Sequence, residues 1–317
     1  MKRIGVITRD CGGVNAAIRA VVRTASARGL EVVGVMRGYE GLIHGDFVPL
    51  DRRSVSGIIN LGGTILKSAR SEAFFTEEGQ KKAVESARGK AIDGLIVIGG
   101  NGSLTGAHVL ADRYGVPVVG VPATIDNDIN GVDLSIGADT AVNVALDAVD
   151  KIRDTATSLE RIFVIEVMGR SCGYIAMQVA LAGGCEEVLI PEKAFDMTVV
   201  SNEIRAGNAQ GKVSWILIVA EGVAKAEDVA AAISLNTGLE TRIAVLGHIQ
   251  RGGRPTAIDR LLAAKLGHRA VLTLVEGGSD VCVSLKDDRP ILVPLATAIR
   301  PKTIETEGDY ELLKVLS

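Results

Sequence analysis

Short apolar runs rich in Val and Ile recur along the chain, separated by longer stretches in which apolar residues return every three or four positions. The apolar runs are Arg3–Thr8, Glu31–Met36, Gly94–Ile98, Val116–Val121, Ile162–Val167, Glu187–Ile190, Ser214–Ala220, Ile243–Leu246 and Val281–Leu285. Apolarity along the whole run, rather than at alternate positions, predicts strands of sheets covered on both faces. Between them, Asn15–Arg28, Glu77–Arg88, Ser103–Tyr114, Ala138–Thr157, Cys172–Leu181, Thr198–Gln210 and Asp259–Gly267 read as helices. Strand–helix alternation of this kind predicts an α/β chain of right-handed βαβ crossovers in doubly wound, mostly parallel sheets. No Pro/Gly/Ser linker or low-complexity segment divides it. A new strand–helix series begins after Gly137, which is a natural place for a boundary.

Polar chemistry clusters where these strands end. Pro117–Val121 runs into Pro122-Ala-Thr-Ile-Asp-Asn-Asp128, with carboxylates at Asp126 and Asp128. Ligands of open parallel sheets bind at the carboxyl ends of strands. There, one carboxylate is suited to accept a proton from a hydroxyl and the other to face a metal ion, the pairing that phosphoryl transfer to an alcohol requires. Taken singly, the segment also fits an Asx-rich turn. Three further strands end in the same way, at Gly99-Gly-Asn-Gly-Ser103, Met168-Gly-Arg-Ser-Cys-Gly173 and Gly247-His-Ile-Gln-Arg-Gly-Gly253. Glycines there let backbone N–H groups approach an anion, and arginines add bidentate phosphate donors.

Composition narrows the class. A chain of 317 residues is long enough for one large or two medium domains, and 47% hydrophobic content fits a large buried fraction. A net charge of −3 with dispersed basic residues gives no nucleic-acid footprint. Cys11, Cys172, Cys185 and Cys282 show neither CxxC pairing nor zinc spacing, so reduced thiols in a cytoplasm are expected. The N-terminus enters Arg3–Thr8 without an apolar h-region, so no secretory signal is expected, and no apolar run is long enough to span a bilayer.

Several segments together resemble the bacterial-type 6-phosphofructokinases, essentially from end to end. They are TIDND at Thr124–Asp128, EVMGR at Glu166–Arg170, AGGCE at Ala182–Glu186, and LGHIQRGG at Leu246–Gly253 with Asp259-Arg260 downstream. The resemblance implies two Rossmann-like domains with the chain crossing between them more than once. Residues 1–137 plus 252–303 would bind the nucleotide donor, and 138–251 plus 304–317 the sugar phosphate. It implies transfer of the ATP γ-phosphate, with Mg²⁺, to the 1-hydroxyl of fructose 6-phosphate in glycolysis. Asp126 would be the base. Thr124 and Asp126 would flank the transferred group, and Arg170 would stabilise its charge. Met168, Gly169, Glu221 and His248 would contact the sugar, while Arg161, Arg242, Arg251 and His248 would hold its phosphate. Counterparts of Arg161 and Arg242 reach across a subunit interface in this family, which implies a homo-oligomer, most often a tetramer.

The donor side resembles the family less closely. The first loop, Thr8-Arg-Asp-Cys-Gly-Gly-Val-Asn15, is shorter than the family's, and Arg9 stands in its glycine run. Asn101 replaces the aspartate of the family's GGDGS motif, and Lys67 replaces a usual glycine. The resemblance places Arg9, Asp10, Arg70, Ser71, Gly100, Asn101, Gly102 and Ser103 at the donor, with Asn101 and Asp128 on the metal side. Pyrophosphate-using relatives carry an aspartate after GGD and a lysine before TIDND. Gly102 and Ala123 here lack that bulk, which favours ATP. Arg19 and Arg23, four apart on one helix face, join Arg52, Arg153, Glu186 and Lys212 in resembling the family's effector site for ADP or phosphoenolpyruvate. Two alternatives stay open: pyrophosphate as donor, and a donor-impaired relative that binds sugar phosphate as a regulatory subunit.

Overall fold

The structure, a computed structural model, describes all residues from Met1 to Ser317. The chain divides into two compact units, Met1–Thr140 with Arg251–Lys302, and Ala141–Gln250 with Thr303–Ser317. Arg251 falls in the first unit.

In the first unit, β1 (Arg3–Thr8), β2 (Glu31–Val35), β4 (Gly94–Gly99), β5 (Val118–Pro122) and β10 (Val281–Lys286) form the parallel centre of a seven-stranded sheet. Two antiparallel strands close its edges, β3 (Phe47–Leu50) and β11 (Arg289–Pro294), giving the order β11-β10-β5-β4-β1-β2-β3. The helices are α1 (Val14–Ala27), α2 (Tyr39–His44), α3 (Glu77–Gly89), α4 (Asn101–Tyr114), α9 (Ala257–Val275) and α10 (Leu295–Ala298). β4 is fully buried along its length, which is why its sequence reads apolar at every position. Leu95, Val97, Leu104, Leu110 and Val118 pack one core between the sheet and its helices. Truncating one such leucine to alanine costs about 2–5 kcal/mol, through lost transfer energy and a cavity.

The second unit holds four parallel strands in the order β7-β8-β6-β9: β6 (Ile162–Val167), β7 (Glu187–Leu189), β8 (Trp215–Ala220) and β9 (Thr241–Val245). Its helices are α5 (Ala138–Leu159), which begins in the first unit, α6 (Tyr174–Ala182), α7 (Met197–Ala209), α8 (Ala226–Thr237) and α11 (Glu307–Leu316). Val164, Leu189, Leu217, Val219 and Ile233 fill its core.

One expectation from the sequence is corrected here. The run Ile243–Leu246 is not a strand covered on both faces. β9 is an edge strand, and Ile243 and Val245 are 43% and 52% exposed. An edge strand has a neighbour on one side only, so its apolar side chains are left partly uncovered within a single chain. β3, β11, α2, α8, α10 and α11 are elements that the apolar pattern did not single out.

Candidate active site

Sheet register aligns the donor segments. Thr8 pairs with Ile98, and Gly99 with Pro122, so the residues that follow β1, β4 and β5 emerge side by side. The chain passes from β1 outward to β2 and β3, then returns to place β4 on the other side of β1. That reversal is the switch point at which open α/β sheets bind ligands. Arg9 and Asp10 follow β1 there, and Gly100–Ser103 turn from β4 into the N-terminus of α4, a ready anion site.

Asn15 at the start of α1 donates its amide to Leu61 O and Gly62 O and accepts from Ile65 N, which holds the next loop against the first. Arg9 adds a bond from its guanidinium to Ala69 O at 3.0 Å, so this cation in the shortened loop reaches the segment that carries Arg70 and Ser71. Lys67 sits at φ +58°, a left-handed backbone that glycine adopts without cost.

The loop after β5 is bonded to itself. Asn127 lies at φ +51° and is 2% exposed. Its side-chain oxygen accepts from Ser135 N at 2.9 Å, its amide donates to Asp133 O, and the Ser135 hydroxyl donates to Thr124 O at 2.7 Å. The Thr124 hydroxyl accepts from Asp126 N. Asp126 is 3% exposed. Asn101 Nδ2 donates to Asp128 Oδ2 at 2.7 Å, which leaves Asn101 Oδ1 and Asp128 Oδ1 as buried oxygens without a hydrogen-bond partner. Behind the loop, Asp259 accepts bonds from Gly137 N, Thr140 N and the Thr140 hydroxyl. Burial raises its carboxyl above the ordinary carboxylate range, and these bonds pull it partly back.

In the second unit, Val167 pairs with Ala220 and Glu166 with Val245, which sets Met168, Glu221 and Leu246 abreast at the carboxyl ends of β6, β8 and β9. Gln250 accepts from Met168 N at 2.9 Å. Gly169 takes φ +141°, and a Cβ there would lie 2.5 Å from Cys172 O, so the turn after β6 has no room for a side chain. Glu221 Oε1 accepts from Arg170 N at 3.0 Å, which fixes the backbone that presents the Arg170 guanidinium. His248 is exposed in the turn after β9. In the first unit, the half-buried Arg251 keeps a buried Nε without a partner.

Arg161 and Arg242 are not brought to that end. They lie at the amino ends of β6 and β9, both ion-paired to Glu240, a strand length of about 20 Å from Met168. The six arginine, lysine and glutamate residues singled out as effector contacts are divided between the two units, three in each. Arg23 and Arg52 line a cavity of about 600 Å³ with Thr24, Ala27, Arg28 and His268 in the first unit, and Arg19 is not in its lining. In the second unit Lys212 pairs with Glu186 at 3.2 Å, while Arg153 donates to Gly183 O and Gly184 O.

Nothing in the residue pattern marks Asn127, Ser135 or Lys302 as supports of the loop after β5. An asparagine between two aspartates reads as a turn residue, and Lys302 is remote in the chain.

The family model for phosphofructokinase matches residues 3–274. The chain is 53% identical over 321 residues to "ATP-dependent 6-phosphofructokinase 1" of Thermus thermophilus, and 48% identical over 319 residues to "ATP-dependent 6-phosphofructokinase" of Thermotoga neapolitana. Both alignments cover 100% of either chain. A solved phosphofructokinase from Saccharomyces cerevisiae superposes with a TM-score of 0.88 at 35% identity, over 94% of this chain and 45% of that one. The chain therefore spans under half the length of that structural relative. The chain belongs to the phosphofructokinase family.

Proposed function

We propose that the chain transfers the γ-phosphoryl group of ATP to the 1-hydroxyl of fructose 6-phosphate, giving fructose 1,6-bisphosphate and ADP in glycolysis. One observation carries the reading: the self-bonded loop at the end of β5, which buries Asp126 beside the Asn101–Asp128 pair at the N-terminus of α4. Full-length relatives at about half identity that bear this activity's name support it.

In this reading Asp126 takes the proton of the sugar hydroxyl as the hydroxyl attacks phosphorus. Thr124 orients the loop, and Arg170 stabilises charge on the transferred group. Met168, Gly169, Glu221 and His248 bind the sugar, with Glu221 accepting from its hydroxyls, and Arg161, Arg242, Arg251 and His248 bind its phosphate. Arg9, Asp10, Arg70, Ser71 and the Gly100–Ser103 turn receive the nucleotide phosphates. The orphaned oxygens of Asn101 and Asp128 fit a hard divalent cation, which prefers oxygen ligands. Bound Mg²⁺ would supply charge neutralisation on the phosphates. With only one carboxylate in that pair, the Arg9 cation takes a larger share of the electrostatics.

The reading extends to a homo-oligomer, with a tetramer as the family's usual form. Within the second unit, Arg161 and Arg242 stand a strand length from Met168, which fits their serving the site of a second copy. Arg19, Arg23, Arg52, Arg153, Glu186 and Lys212 are proposed as effector contacts for ADP or phosphoenolpyruvate, with the arginine-lined cavity as one half. Four buried cysteines, none of them in a disulfide, fit the cytoplasm. No helix is long and apolar enough to cross a membrane.

The test is turnover of fructose 6-phosphate with ATP and, in parallel, with pyrophosphate, each with and without Mg²⁺. Turnover with ATP and Mg²⁺ is expected. Turnover with pyrophosphate alone would reassign the donor. Binding of fructose 6-phosphate with no turnover from either donor would make the chain a regulatory relative.

A further inference from the structure

Lys302 is the last residue of the first unit before the chain leaves it. Its ammonium donates to Asn127 O at 3.0 Å and to Val132 O at 2.7 Å. These carbonyls lie at the two ends of the bend that follows Asp126. An ammonium has three donors, so one cation can gather two carbonyls that would otherwise repel at close range. The Asn127 carbonyl belongs to the peptide joining Asn127 to Asp128, and its orientation sets where the Asp128 side chain starts. The Asn127 side chain is already committed to Ser135 and Asp133, and Asn130 N donates to Ala298 O four residues before Lys302. The left-handed backbone at Asn127 costs energy for a non-glycine residue and persists only where its surroundings hold it. Lys302 and the Asn127–Ser135 bonds are those surroundings.

We propose that Lys302 is a positioning residue for phosphoryl transfer, pinning the bend between Asn127 and Val132 so that Asp126 and Asp128 keep their reactive placement. It acts through the loop backbone rather than on substrate. The inference rests on the assignment of Asp126 and Asp128 to the chemistry. Displacement of a reacting group by about 1 Å costs on the order of a hundredfold in rate, so a loosened bend is read in kcat.

The experiment compares Lys302→Met and Lys302→Arg with the wild-type protein, with rates normalised to folded protein. Lys302→Met is expected to lower kcat by about 10- to 100-fold, with KM for fructose 6-phosphate and ATP changed by less than about threefold. Amide hydrogen exchange across residues 127–135 should quicken while exchange in the core strands does not. Lys302→Arg, which keeps the charge and two or more donors, should recover most of the loss. Should Lys302→Met not fold, Lys302→Gln carries the same expectation, because one neutral amide cannot reach both carbonyls. A kcat within about twofold of wild type, a change confined to KM, or an arginine variant no better than methionine overturns the proposal. Asp126→Ala, run alongside, separates the two readings. If it leaves turnover intact, the catalytic assignment itself fails. If it abolishes turnover while Lys302→Met is unaffected, only the role of Lys302 fails.

Discussion

Asn101 donates its side-chain amide to Asp128, at 2.7 Å to the carboxylate and 3.2 Å to the backbone oxygen, a bond that an ionised aspartate at position 101 has no hydrogen to make. The amide thus joins the pair without a cation, while Asn101 Oδ1 and Asp128 Oδ1 stay without hydrogen-bond partners. Two buried carboxylates in the same place would repel until a cation or a proton entered between them. Asn101→Asp is therefore expected to lower the melting temperature in chelator and to enlarge the stabilisation that Mg²⁺ gives, with turnover on ATP unchanged or raised. Thermal melts at stepped Mg²⁺ concentrations read this directly. An unchanged response to Mg²⁺ would show that the amide already serves the metal as well as a carboxylate does.

Asp126 is held at the turn whose shape Asn127 and Ser135 set, and replacing its side chain leaves those bonds in place. Asp126→Ala should lower kcat by about 10²–10⁴-fold, the usual worth of a general base, while binding of fructose 6-phosphate by calorimetry stays near wild type. Near-normal turnover would remove Asp126 from the role of base.

Glu221 and Gly222 meet the backbone of one residue, Arg170, at the two successive peptides on either side of its Cα. Glu221 accepts from Arg170 N, and a Cβ at position 222 would fall 1.6 Å from Arg170 O. Gly222→Ala must push the Arg170 backbone away. The expected result is a loss of about tenfold or more in kcat/KM for fructose 6-phosphate, with binding of ATP retained, because the displaced turn is on the sugar side only. Wild-type kinetics would mean that the turn has slack.

The four cysteines offer a check on burial. Burial pushes the thiols of Cys185 and Cys282 up to about 12 and raises Cys11 well above the ordinary thiol range. The thiolate is the reactive form, so at pH 8 these groups stay protonated and covered. Native protein should release no chromophore from an aromatic disulfide reagent, and denatured protein should release four equivalents, one per cysteine. A fast-reacting thiol in the native state would place that cysteine at the surface.

Much of the fold lies open in the sequence. Val97 and Leu217 sit in runs that are apolar at every position because strands inside a parallel sheet have no exposed face, and that pattern is local. Strands that lack it escape notice. β3 and β11 are antiparallel edges, one a four-residue run holding Pro49 and the other carrying Pro290 and Pro294, and proline within a short run weakens the strand signal. β9 shows the opposite error, an apolar run at an edge that the single chain leaves uncovered.

The candidate site divides in the same way. Residue types at strand ends, such as Asp126, Asp128, Arg170 and Glu221, are legible because sheet geometry delivers every parallel strand end to one edge. What those residues touch is set by register and packing. Only the tertiary structure brings Lys302 to Asn127 across 175 residues, joins Asn101 to Asp128, and leaves Arg161 and Arg242 at the far end of their strands. Sequence by itself determined the class of fold and the chemical vocabulary, since both follow from short-range pattern. The tertiary structure decided which of those groups meet, because hydrogen bonds act over about 3 Å and the chain reaches that distance only by folding.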